Sequence, residues 1–193
     1  DATLEGWLAK VTDRWLCILY ERIRLRLNES AYIMADETTL RVQKPKQKRG
    51  SPKKAEAGKT HIGYLWTYRD PINKLVSFHY EHGRGGRYVR EHLKDFKGYL
   101  QTDAYAGYNA MRAEVTMVGC WAHARRNFYD AKESDAKAAG EFLNLIGELY
   151  KVEEKAREEG LSEEKRLEKR QKASKPILEK IKNLLENKKT THP

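Results

Sequence analysis

Along residues 3–27 the apolar side chains return every three or four positions: Leu4, Trp7, Leu8, Val11, Trp15, Ile18 and Leu19, with Arg and Glu between them. That period is helical, so the chain opens with one amphipathic helix, which "RLNES" ends. Its tryptophans are expected to pack against the rest of the protein. From Ala31 the period becomes two, and "AYIMADETTLRV" reads as a strand rich in β-formers. "IGYLWTYRD" and "KLVSFHYEHG" follow as two more strands, joined by a turn at Asp70, Pro71, Ile72 and Asn73. Tyr88, Val89, His92, Leu93 and Phe96 then share a helical face. "GYLQTD" is a fourth strand, "AGYNAM" a short helix, "VTMVG" a fully apolar fifth strand, and "AHARRNFYDAKES" a helix after it.

Three strands in a meander followed by alternating helix and strand describe an α/β fold with a mixed sheet. The order matches the ribonuclease H-like arrangement element for element. Beyond Asp135 no strand pattern remains. Phe142, Leu145, Ile146 and Leu149 line one helix, and Ile177, Leu178, Ile181, Leu184 and Leu185 another, with the charged run "LSEEKRLEKRQKA" between them. The expected organisation is an N-terminal helix over residues 1–30 packing on the core, an α/β core over 31–135, and an all-helical appendage over 136–193.

Between the first two strands lies "QKPKQKRGSPKKAEAGKT", with seven Lys or Arg residues, one Glu, two Pro and two Gly. Its composition predicts a loop. The whole chain of 193 residues carries a net charge of +10. That balance favours a polyanionic partner, because Lys and Arg bound to phosphates release condensed counterions. Hydrophobic residues at 39% and charged residues at 34% exclude a membrane protein, and no apolar run reaches the roughly 18–20 residues of a bilayer span. The N-terminus lacks the order of a secretory signal. Cys17 and Cys120 make no disulfide framework, so a cytoplasmic setting is expected.

Two aspartates stand where chemistry is expected. Asp36 lies inside the first strand, where Asp is disfavoured, and Asp103 ends the fourth. In a ribonuclease H-like sheet these strands are neighbours, which would bring both carboxylates to one spot. Hard oxygens so placed suit Mg²⁺, or Mn²⁺, with phosphate as a further ligand. The structural alternatives are that Asp36 caps a turn and that Asp103 is the N-cap of the next helix. Glu37 must face away from Asp36, because successive strand residues alternate. Asp36 is taken as the inward ligand because its partner position on the neighbouring strand is also an Asp.

Cys120 and His123 are spaced like half a zinc site, but no second pair follows. They are expected to brace the corner of the site, the Cys buried and the His hydrogen-bonded. Arg125 and Arg126 are placed to hold DNA phosphates. His61, His79, His82 and His92 form no pattern, and "HGRGGR" lacks the spacing of a nucleotide-binding loop.

"ADETTLRV", "GYLQTDAYAGYN" and "GCWAHARRNF", in this order, resemble the transposases of the insertion sequence 66 family, and "GYLWTYRD" is similar as well. The resemblance implies a DDE-type catalytic core on a ribonuclease H-like fold, with Asp36 and Asp103 as the first two acids of a metal-binding triad and Mg²⁺ as the cofactor. It implies DNA, at element ends and target, as the partner, with self-association besides, and no membrane or small-molecule cofactor. The basic loop would hold phosphates through Lys44, Lys46, Lys48, Arg49, Lys53 and Lys54. The helical tail looks like the insertion that precedes the family's third acid. No motif of that third kind occurs before Pro193, so the chain is expected to be a central fragment that binds metal weakly and joins DNA ends poorly or not at all. The competing expectation is a non-catalytic DNA-binding or assembly module of a mobile-element protein.

Overall fold

The computed structural model describes residues 2–43 and 60–191. Lys44, Lys46, Lys48, Arg49, Lys53 and Lys54 lie outside the described residues. The chain divides into two compact units, Asp1–Cys120 and Trp121–Pro193. The boundary precedes the helix containing Arg125 and Arg126, whereas the sequence pattern placed it after that helix.

In the first unit, helix α1 (Ala2–Val11), a π-helical turn (Thr12–Leu16) and helix α2 (Cys17–Asn28) lead into strand β1 (Tyr32–Gln43). Strands β2 (Thr60–Asp70) and β3 (Leu75–Glu81) follow, then α3 (Gly86–His92), β4 (Tyr99–Thr102), a 3-10 turn (Ala106–Met111) and β5 (Thr116–Gly119). The five strands form one sheet in the order β3-β2-β1-β4-β5. β1 and β2, and β2 and β3, run antiparallel, while β1 with β4 and β4 with β5 are parallel. The parallel pairs need crossovers, which α3 and the 3-10 turn supply.

One face of this sheet carries the core. Ile33 and Ala35 of β1, Trp66 and Tyr68 of β2 and Leu100 of β4 pack against Leu27 of α2, Val89 of α3, Leu93, Phe96, and Tyr108 and Met111 of the 3-10 turn. The alternation of β1 assigns Ile33, Ala35 and Glu37 to this face and Met34 and Asp36 to the other. On that other face Val76, Phe78, Tyr80 and Tyr99 are exposed. β5, expected as a fully apolar strand, lies at one edge of the sheet and has no fully buried residue.

The N-terminal stripe behaves differently from its pattern. Leu27 enters the core and Ile23 packs against it, but Leu4, Trp7, Leu8, Val11, Trp15, Ile18 and Leu19 are exposed, Trp15 at 70%. Contact with the sheet comes from α2, through Tyr20 on His79 of β3 and through Ile23 and Leu27 at the core.

The β2–β3 turn is built around Asp70, which is fully buried. Its Oδ1 accepts the Ile72 and Asn73 backbone N–H groups at 2.7 and 2.9 Å, and its Oδ2 accepts Asn73 Nδ2 and Ser30 Oγ at 2.7 and 2.5 Å. Burial on its own would raise the Asp70 pKa, but these hydrogen bonds outweigh it and hold the carboxyl below its ordinary range. Further along β3, the His79 ring lies tilted by 44° against His92 with centroids 3.5 Å apart, Tyr20 Oη hydrogen-bonds His79 Nδ1, and Glu81 Oε1 is 3.0 Å from His92 Nε2. The two histidines that made no pattern in the sequence are therefore core neighbours, brought together by β3 and α3. Burial first, then the neighbouring His92 and Arg24 charges, push the His79 pKa down to about 3.

The second unit is helical: α4 (Trp121–Asp130), a 3-10 turn (Ala131–Glu133), α5 (Ala136–Glu158), α6 (Glu163–Lys169), a π-helical turn (Arg170–Ser174) and α7 (Lys175–Thr191). Asp135 caps α5 by accepting the Ala138 N–H at 2.9 Å, and Gly160, at φ 58°, takes the left-handed conformation that ends it. Phe142, Ile146 and Leu149 of α5 form a core with Ile177 and Ile181 of α7, and the Phe128 ring of α4 stacks on Phe142 at 4.2 Å. The charged run between the stripes is solvated, apart from surface pairs such as Arg170 with Glu153 at 2.7 Å.

Candidate active site

The parallel ladder of β1 and β4 pairs Tyr32 with Tyr99, Ile33 with Leu100 and Met34 with Gln101. The ladder ends there, two residues short of Asp36 in β1 and of Asp103, which follows β4. By alternation along β1, Asp36 belongs to the face away from the core, where the Tyr32 hydroxyl donates to Gln101 Oε1, whereas Asp103 lies past the end of β4 with its Oδ2 3.8 Å from Arg84 Nη2.

The two aspartates sit in different local structure. Asp36 is exposed within β1, opposite Thr67 of β2, and its Oδ1 accepts the Glu37 N–H at 3.0 Å. It caps no turn. Asp103 is the first residue past β4. Its Oδ1 accepts the Tyr105 N–H at 2.9 Å, and the Thr102 hydroxyl accepts the Ala104 N–H at 3.2 Å. Ala104 has φ 71°, a left-handed conformation costly for a residue with a Cβ, and these side-chain bonds hold it there. One oxygen of Asp103 thus forms the turn, while Tyr105 occupies the N-cap position of the following 3-10 turn.

Behind Asp103 is a group the sequence pattern did not pick out. Glu37, whose side chain is 1% exposed, receives Arg84 Nε and Nη2 on Oε1, each at 2.5 Å, and the Tyr108 hydroxyl on Oε2 at 2.5 Å. Arg84 comes from "HGRGGR" and lies 3.8 Å over the Tyr105 ring. Tyr105 Oη in turn donates to the Arg84 carbonyl at 2.9 Å. Arg84 Nη2 is also 3.8 Å from Asp103 Oδ2. Burial works against the Arg84 charge, but Glu37, Tyr105 and Asp103 together outweigh it and raise the Arg84 pKa. Burial and the hydrogen bond to Glu37 raise that of Tyr108. The missed signal was Arg84, flanked by Gly83 and Gly85: a rigid guanidinium fork needs close backbone approach and a carboxylate to grip.

Among the described residues, no group of three or more His, Cys, Asp or Glu side chains could hold a metal ion. The available donors are the two hard carboxylates of Asp36 in β1 and Asp103 just past β4. Asp36 has one oxygen bonded to a backbone N–H, and Asp103 has one oxygen bonded to a backbone N–H and the other near Arg84. Such a set fits a divalent cation that takes one or two protein carboxylates and keeps its waters, as Mg²⁺ and Mn²⁺ do.

The remaining predicted site residues are placed less tightly. Cys120 is half-buried at the end of the first unit. His123 is in α4, and its Nδ1 is buried with no hydrogen-bond partner among the described residues, which departs from the hydrogen-bonded role expected of it. Arg125 and Arg126 are exposed on α4 in the second unit.

The family model described as "Transposase IS66 family" matches residues 1–193. The chain belongs to the IS66 transposase family. Among curated relatives in Sinorhizobium fredii (strain NBRC 101917 / NGR234), it is 35% identical over 188 residues to "Uncharacterized protein y4qI", covering 89% of this chain and 33% of that protein. It is 28% identical over 196 residues to "Uncharacterized protein y4jD", covering 93% and 36%, and 25% identical over 187 residues to "Uncharacterized protein y4hP", covering 83% and 31%. The chain therefore spans about a third of the length of these IS66 relatives. No solved structure matches it.

Proposed function

We propose that this IS66-family chain carries part of a DDE-type transposase active site on a ribonuclease H-like sheet, with Asp36 and Asp103 as two of its metal-binding acids. What supports the reading is the parallel pairing of β1 with β4: continued two residues past Met34 and Gln101, that register would bring Asp36 opposite Asp103. The strand order β3-β2-β1-β4-β5, with its antiparallel meander and parallel second half, is the arrangement that the ribonuclease H-like reading requires.

In the longer protein, the reaction is phosphodiester hydrolysis at an element end, followed by attack of the freed 3′-hydroxyl on a target phosphodiester. Water donates oxygen to phosphorus in the first step and the 3′-oxygen is released. In the second, that oxygen forms the new bond and a target 3′-oxygen leaves. Bound Mg²⁺ or Mn²⁺ supplies Lewis-acid polarisation of the phosphate and an acidified water. Asp36 and Asp103 would hold the cation, and the Thr102–Tyr105 turn fixes the backbone at Asp103. Arg125 and Arg126, with Lys44, Lys46, Lys48, Arg49, Lys53 and Lys54 of the basic segment, hold DNA phosphates without reading sequence.

The test is Asp36→Asn and Asp103→Asn in a longer protein that includes this chain and cuts element ends. Each abolishes cleavage and strand transfer while DNA affinity stays the same. Normal cutting by both variants would instead leave the chain a DNA-binding or assembly module.

A further inference from the structure

The Arg84 guanidinium stands between two carboxylates with unequal hold on it. Glu37 grips it through two donors at 2.5 Å, and Asp103 Oδ2 is 3.8 Å away. The side chain of Glu37 is 1% exposed and that of Asp103 23%, so the Glu37 contact is also the less screened one. Both Glu37 oxygens are occupied, one by Arg84 and the other by Tyr108, and Glu37 belongs to the core face. It is therefore not available as a third ligand. The Tyr105 ring lies 3.8 Å from the guanidinium carbon, and the Tyr105 hydroxyl donates to the Arg84 backbone carbonyl.

A guanidinium is a permanent cation. Left without a counter-ion beside Asp103, it would form a charge-assisted pair with that carboxylate and compete with any divalent ion for it. We infer that Glu37 is a positioning residue for the metal site: it neutralises Arg84 and holds it off Asp103, so that Asp103 stays available to the cation. This rests on the metal-site reading above. Arg84 in turn braces the Asp103 turn through Tyr105. The pair is close to neutral as a unit, which lets a cation sit near a basic side chain without strong repulsion.

The measurement is Mn²⁺ titration of the purified chain, followed by water-proton relaxation, with folding checked by circular dichroism. Glu37→Gln keeps the size of the side chain and an acceptor for Tyr108 but frees the Arg84 charge. It weakens Mn²⁺ binding by on the order of tenfold. The charge-balanced double variant Glu37→Gln/Arg84→Gln brings affinity back to within about threefold of the parent, a coupling that a merely structural role would not produce. Unchanged affinity in Glu37→Gln, or a double variant as weak as the single, overturns the inference. If Glu37→Gln does not fold, Arg84→Gln decides: binding as tight as the parent or tighter supports the inference, and weaker binding overturns it. Asp36→Asn and Asp103→Asn are run alongside. If neither affects Mn²⁺ binding, the metal-site reading itself has failed. If both abolish it while the Glu37 variants behave as the parent, that reading stands and the role of Glu37 falls.

Discussion

Ser30 Oγ donates to Asp70 Oδ2 at 2.5 Å in the buried interior, tying the entry of β1 to the turn between β2 and β3. Because Asp70 also organises that turn through Ile72 and Asn73, one carboxylate fixes the start of the strand carrying Asp36 and the hairpin beside it. Asp70→Ala leaves these donors unpaired and costs about 3–5 kcal/mol by urea unfolding. The folded-state pKa of Asp70 lies below the unfolded one, so its contribution is complete above about pH 4 and is lost as pH falls through the folded value. Asp70→Asn accordingly flattens the acid limb of the stability profile below about pH 4.

His79 acts in a different window. Its pKa, held at about 3 by burial and by His92 and Arg24, is below the unfolded value near 6.5. The unfolded chain thus binds the additional proton between those values, and stability declines on acidification from about pH 6.5, by at most about 1.4 kcal/mol per unit. Melting temperatures from pH 8 to pH 5 test this. The decline is shallower in His79→Phe, which packs the ring position without a titrating group.

Gly86 begins α3 against the 3-10 turn. A Cβ there would stand 2.5 Å from the Gly107 carbonyl oxygen and 2.8 Å from Ala110 Cβ. Backbone cannot yield as a side chain does, so Gly86→Ala costs about 1–3 kcal/mol. The loss is read by unfolding. Gly85→Ala, whose added Cβ meets nothing within 4 Å, is the matched control.

The N-terminal helix separates pattern from packing. Trp15 is 70% exposed and Leu27 2%. Trp15→Gln changes the unfolding free energy of the chain by no more than about 0.5 kcal/mol, whereas Leu27→Ala costs about 2–5 kcal/mol. A large loss for Trp15→Gln would mean that the stripe is buried against the core after all.

The α/β plan was legible because each strand kept its alternation: Ile33, Ala35, Trp66, Tyr68 and Leu100 announced the core face at period two, and the two helical stripes of the tail announced theirs at period 3.6. Asp36 and Asp103 were legible as oddities, carboxylates where strands disfavour them. Glu37, Arg84, Tyr105 and Tyr108 were not, since their relation crosses 71 residues of chain from Glu37 to Tyr108 and has no local period. The same holds for His79 and His92, which meet only because β3 and α3 pack together.

By itself the sequence determined which residues form strands and helices, which side of each is apolar, and which two acids break the pattern, because these depend on local geometry and on water's exclusion of apolar surface. Tertiary structure decided the rest. Strand order made β1 and β4 parallel neighbours, and the closing of the glycine loop over the Tyr105 ring brought Arg84 to Glu37. The amphipathic stripe of α1 shows the same division, since a helical period names an apolar face but not the surface that face will meet.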